Sequence, residues 1–161
     1  MYLLLNNKPK VMFLIVSIFI LILQINMPSI FIYDNNRINL DLVLLFLTFL
    51  VFSNGDYKII YAAFFFGLLQ DIIINNEHLG LFSFLKSISV YLLLGIRNYD
   101  SIWNARVRSL CILCIFFLHF FIYYFIIHDQ IYSMIIFVSL LQSIVCFIIY
   151  YLFNRLFFNT K

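Results

Sequence analysis

Few side chains in this sequence could do chemistry. Asp71 stands in the stretch GLLQDIIINNEHLGL (residues 67–81), four residues after Gly67 and nine before Gly80. Lys86 follows inside an apolar run, and His119 and Gln142 each lie near the middle of another. Cys111 and Cys114 have the C-x-x-C spacing that dithiol redox centres and zinc sites use.

The cysteine spacing carries no such chemistry here. It lies within an apolar helix, Cys146 is the remaining cysteine, and no second ligand pair accompanies it. Redox pairs of this kind need a polar, electropositive setting. His119 is rotated away from both thiols on a helix, so the cysteines read as core fillers. The sequence has no Gly-rich phosphate loop, no Ser-x-x-Lys and no His-Glu-x-x-His. We therefore assign no catalytic residue, no metal site and no cofactor, and expect a protein that is not an enzyme.

Asp71 is the costly residue. A carboxylate at the centre of a transmembrane helix costs about 2.5–3.5 kcal/mol on insertion scales, and less toward the interface. The negative end of the helix dipole disfavours it further. An Asp71–Lys86 ion pair across a tight helical turn would offset both terms, since the two residues flank the turn at similar depth. The alternative is that each snorkels separately to water. Gly67 lies one turn before Asp71 on the same face, where a neighbouring backbone can approach. Gly80 opens the next helix after an Asn75-Asn76 turn. His119 and Gln142, on antiparallel neighbours, are expected to share a hydrogen bond worth about 0.6 kcal/mol. A proton relay through His119 would need an acid at its depth, and none is expected there.

The elements that position these residues follow from composition. Of 161 residues, 65% are hydrophobic and 11% charged, and mean hydropathy is +1.06. Soluble domains carry about 45–50% apolar and 25% charged residues. The apolar residues come in long blocks, so the chain reads as one integral membrane domain over 1–161, an all-α polytopic transmembrane helix bundle. Six blocks could cross a bilayer, at about 11–28, 38–53, 58–75, 79–96, 107–127 and 131–153, and the second is the shortest. The first follows Lys8 and Lys10 without a small-residue cleavage site and reads as a retained span.

Placing both termini in the cytoplasm puts eight of the ten Lys and Arg residues inside: Lys8, Lys10, Lys58, Arg97, Arg106, Arg108, Arg155 and Lys161. Arg37 and Lys86 fall toward the outside. The net charge of +3 thus speaks of topology, not of nucleic acid.

In order along the chain, a glutamine (Gln24) closes the first helix in ILQINMPSIF. A polar lead-in precedes a leucine-rich second helix in RINLDLVLLFLTFL. The unit FFGLLQDIIINNEHLGLFSFLKSISVYLL then carries Gly67, Asp71, Leu79-Gly80 and Tyr91. This pattern resembles the MreD family of rod shape-determining membrane proteins. The specific part of the resemblance spans residues 24–91. Asn75-Asn76 replaces a glycine common in the family's turn, and Lys86 is not part of the pattern.

The resemblance implies a multi-pass component of the bacterial inner membrane, with a bundle like the S components of energy-coupling-factor transporters. It implies a scaffold that organises peptidoglycan-synthesis partners: an MreC-like scaffold, a RodA-like glycosyltransferase, a class B penicillin-binding protein and an MreB-like cytoskeleton. Membrane lipid is the other expected partner. Gly67, Asp71, Leu79, Gly80, Lys86 and Tyr91 would then be structural or partner-docking residues, with Gln24, His119 and Gln142 as polar groups inside the bundle. The alternative is a substrate-binding, S-component-like subunit of a vitamin transporter. The scarcity of alanine (Ala62, Ala63, Ala105) counts against that reading, because such subunits dock through Ala-rich helix faces.

Overall fold

A computed structural model describes residues 8–27, 30–33, 36–38, 40–74, 78–99, 102–127 and 132–158. Six helices occupy most of them: α1 (Lys8–Asn26), α2 (Leu42–Asn54), α3 (Lys58–Ile74), α4 (Leu81–Asn98), α5 (Ala105–Ile127) and α6 (Tyr132–Phe158). A small antiparallel hairpin, β1 (Ile30–Tyr33) with β2 (Asn36–Ile38), joins α1 to α2 and pairs Ile30 with Ile38 and Phe31 with Arg37. The fold class is the helical membrane bundle expected, with the hairpin where the sequence suggested only a polar connection. The Asn75-Asn76 turn lies outside the described residues.

The bundle is apolar outside and carries a set of polar and charged groups within its apolar core. Ile15, Phe19, Tyr61, Phe65, Phe84 and Leu110 are all exposed. Asp41, Gln70, Asp71, Ser83, Lys86, Ser89 and His119 are all buried. A soluble domain distributes them the other way. Among the described residues, three helices, over Leu81–Asn98, Ala105–Ile127 and Tyr132–Arg155, are long and apolar enough to cross a membrane.

The shortest of the six is α2. Its 13 residues make a rod of about 20 Å at 1.5 Å per residue, against a hydrocarbon core of roughly 30 Å. Yet Val43, Leu44, Leu47, Thr48 and Val51 are almost fully enclosed, because α2 packs against α1, α3, α4 and α6. Irregular backbone at membrane depth is tolerated only where protein supplies its hydrogen bonds. Both ends of α2 meet that condition. At its start, Gln24 of α1 donates from Nε2 to the Leu40 carbonyl (3.0 Å), and its Oε1 accepts from the Leu42 N–H (2.6 Å). At its finish, Gly55 takes the left-handed conformation (φ +63°) and its N–H reaches the Val51 carbonyl. Arg97 of α4 lies over that turn and donates to the Val51 (2.6 Å) and Ser53 (3.3 Å) carbonyls. A cation there also suits the negative end of the helix dipole.

Arg97→Gln is expected to destabilise the bundle by about 1.5–3 kcal/mol, the range for a hydrogen bond to a charged group. The measurement is unfolding temperature in detergent. An unchanged value would mean that Gly55 alone holds this helix end.

The core centres on α4, which packs against α2, α3 and α5. One end of the bundle carries Arg97, the start of α5 with Arg106, and the end of α6, where Tyr150 meets Phe49 and Phe52 of α2. We call this the basic end.

Candidate functional site

Two polar arrangements lie side by side on α4, toward the end opposite the basic one. The first begins with Gly67. A methyl group built there would sit 2.4 Å from Ser83 Cα, 2.6 Å from Ser83 N and 2.8 Å from the Phe82 carbonyl. All three are backbone atoms, so only glycine lets α3 and the first turn of α4 meet this closely.

One helical turn on, Asp71 uses that proximity. Its Oδ2 accepts from the Gly80 N–H (3.1 Å), the Ser83 N–H (3.1 Å) and the Ser83 hydroxyl (2.8 Å), while Oδ1 accepts from the Phe82 N–H (3.0 Å). The first N–H groups of a helix have no partner within it. Gly80, in the N-cap position with φ +96°, has no side chain to satisfy them. A carboxylate from the preceding helix performs the capping instead, and its negative charge faces the positive end of the α4 dipole. Gly67 and Asp71 are therefore one device: the glycine permits the approach and the aspartate bonds across it.

The second arrangement is built on Lys86, one turn further along α4. Its Nζ lies 2.9 Å from Asp41 Oδ2 and 3.1 Å from Oδ1, donates also to Gln70 Oε1, and sits 5.0 Å from the centre of the Phe82 ring. Those partners account for the ammonium's donors. Tyr123 of α5 stacks on the far side of this layer against Phe82, with ring centres 4.6 Å apart. Asp41 is also the N-cap of α2, where Oδ1 accepts from the Leu44 N–H (2.9 Å). One carboxylate thus caps α2 and pairs with α4.

His119 of α5 completes the group. Its Nδ1 lies 3.0 Å from Ser89 Oγ, and that hydroxyl donates its own proton to the Leu85 carbonyl. Which partner donates across this bond is set by the imidazole tautomer. Nε2 makes no hydrogen bond and faces Asp41 Oδ2 at 3.8 Å.

Several expectations are corrected by this geometry. The Asp71–Lys86 ion pair does not form: Lys86 pairs with Asp41, and Asp71 is spent on the N-terminus of α4. Neither residue snorkels to water, since both are fully buried. His119 bonds Ser89 and not Gln142, whose Oε1 accepts from the Tyr124 hydroxyl at 2.5 Å. An acid does lie at the depth of His119, namely Asp41. Leu79 and Tyr91 are on the surface, 65% and 62% exposed, apart from the buried set. Cys114 is exposed and Cys111 half-buried, so only Cys146 fills the core as expected.

The residues that sequence reasoning missed are Asp41, Gln70, Ser83, Ser89 and Arg97. Ser83, Lys86 and Ser89 recur every three residues, a polar stripe on a helix that was open to inspection. Asp41 immediately precedes a leucine-rich run, which is an N-cap signature.

Such a bundle, with apolar side chains outside and interior polar groups bonding helix to helix, is that of an integral membrane protein. The chain matches the family model for rod shape-determining protein MreD over residues 7–160, nearly its whole length, and it belongs to that family. Its role accordingly lies in the determination of rod shape. No curated protein and no solved structure gives a match.

Proposed function

We propose that this chain is a non-enzymatic scaffold of the cell-wall elongation machinery, lying as a multi-pass protein in the bacterial cytoplasmic membrane with both termini in the cytoplasm. In that position it would organise an MreC-like periplasmic scaffold, a RodA-like glycosyltransferase, a class B penicillin-binding protein and MreB-like filaments. Family membership carries the reading. The asymmetry of Lys and Arg supports the orientation.

The interior geometry agrees with a structural task. Asp71 engages the start of α4, Asp41 and Lys86 join α2 to α4, and Ser89 and His119 join α4 to α5. A helix array held this rigidly can present a fixed surface to partners in the membrane. Leu79, Phe84 and Tyr91 lie exposed beside and along α4 and offer contact positions for a partner's transmembrane helix.

The test is cell width during depletion of the protein in its own host. Widening or rounding, reversed by the wild-type chain and not by vitamin supplementation, is the expected result. Unchanged shape with growth restored by a single nutrient would contradict it and favour a transporter subunit.

A further inference from the structure

At the basic end, a groove of about 480 Å³ opens between α5 and α6. It exists because α5 presents Ala105 and Ser109, small residues one turn apart, against Phe147 and Tyr151, two large rings one turn apart on α6. The small pair leaves a floor that the rings do not fill. Leu110 and Leu113 extend the apolar wall toward the middle of the bundle.

The mouth of the groove is cationic. Arg106 lines it directly, and Arg155 follows Tyr151 by one turn on the same helix face. Both guanidiniums are exposed, and neither makes a hydrogen bond or ion pair among the described residues. Helices α5 and α6 contain no aspartate or glutamate to compensate them. The apolar groove thus runs along the bundle from the Arg106 guanidinium at its rim, with Arg155 one turn beyond Tyr151.

We infer that this groove is a binding site for an anionic phospholipid, with the headgroup phosphate between Arg106 and Arg155 and an acyl chain laid over Ala105 and Ser109 against Phe147 and Tyr151. Three features select this occupant. The volume falls within the roughly 300–1,000 Å³ of ligand pockets. The lining is apolar along its length, as a chain requires and a soluble phosphate does not. The charge is concentrated at one end, at the level of lipid headgroups, where basic pockets between transmembrane helices capture anionic lipid. Arginine suits the task because its planar fork meets phosphate oxygens in pairs.

The test uses the full chain in nanodiscs of equal phosphatidylglycerol and phosphatidylcholine, followed by native mass spectrometry of the lipid retained on release. The wild-type chain is expected to keep phosphatidylglycerol preferentially. At about 1 kcal/mol per arginine, R106Q/R155Q should lower that preference roughly 30-fold. S109L keeps both guanidiniums but fills the floor, and should reduce retention of either lipid. Equal retention of the two lipids by the wild-type chain would overturn the assignment, as would an undiminished preference in R106Q/R155Q. Undiminished retention in S109L would overturn the groove as the place where the chain lies.

Discussion

Replacing Lys86 with methionine is expected to destabilise the bundle by about 3–5 kcal/mol, the cost of breaking a buried ion pair from one side. Methionine keeps an unbranched apolar chain one atom shorter than the lysine side chain, so most of the buried volume stays filled, while the ammonium over the Phe82 ring is lost. What is lost is the ammonium 2.9 Å from Asp41. The carboxylate then stays buried, capping α2 through the Leu44 N–H and facing His119 Nε2 at 3.8 Å, without its cationic partner. Removing both charges should cost far less. Asp41→Asn keeps a side-chain oxygen for the cap of α2, and asparagine is as good an N-cap as aspartate. The double variant Asp41→Asn/Lys86→Met is therefore expected to recover most of the lost stability, as found when buried pairs are replaced together. Unfolding midpoints of the four proteins in detergent form the cycle. A double variant as unstable as the sum of the singles would show that the two residues act separately.

The second large effect is expected at Gly67. A methyl group there overlaps the Ser83 and Phe82 backbone at 2.4–2.8 Å, and backbone in the first turn of a helix cannot rotate aside. Gly67→Ala should push α4 away from α3, costing about 1–3 kcal/mol for overpacking. The displacement also stretches the four hydrogen bonds that Asp71 makes at 2.8–3.1 Å. Asp71→Ala removes those bonds directly, leaving buried donors unpaired at about 1–3 kcal/mol each before relaxation. Because the two changes act on the same contact, Gly67→Ala/Asp71→Ala should lose clearly less than the sum of the single losses. Strict additivity would separate the glycine from the aspartate and refute their joint role.

Much of this architecture was legible in the sequence, and the limits were physical. Long apolar blocks mark helices strongly, so the expected block at 58–75 is observed as Lys58–Ile74 and that at 107–127 as Ala105–Ile127. The unit of Gly67, Asp71 and Gly80 was visible as a close-packed turn, because glycine and a buried carboxylate are both costly without a purpose. Its bonding was not foreseen. Depth matching suggested Lys86 as the partner of Asp71, since the two flank one turn. That argument omitted the competing donors, the unpaired N–H groups at the start of α4.

Asp41 was harder. In RINLDL it sits in a polar segment, and local sequence places it near water. Its burial comes from three remote elements: Gln24 of α1 holds the backbone beside it, Lys86 of α4 pairs with it and His119 of α5 faces it. None of these neighbours is set by local periodicity. The partner of His119 likewise depended on which helix α5 packs against at that level, and α4 supplied Ser89 where α6 had been expected to supply Gln142.

The central claim is that the buried charges serve by holding the helices, and not by chemistry of their own. Cell width in depleted cells expressing Asp41→Asn/Lys86→Met, compared with wild type and with Lys86→Met alone, tests it most directly. The account predicts rods of wild-type width with the double variant and widened cells with the single one. A double variant that is folded and present at wild-type level in the membrane, yet leaves the cells round, would contradict it, because the charges themselves would then be required.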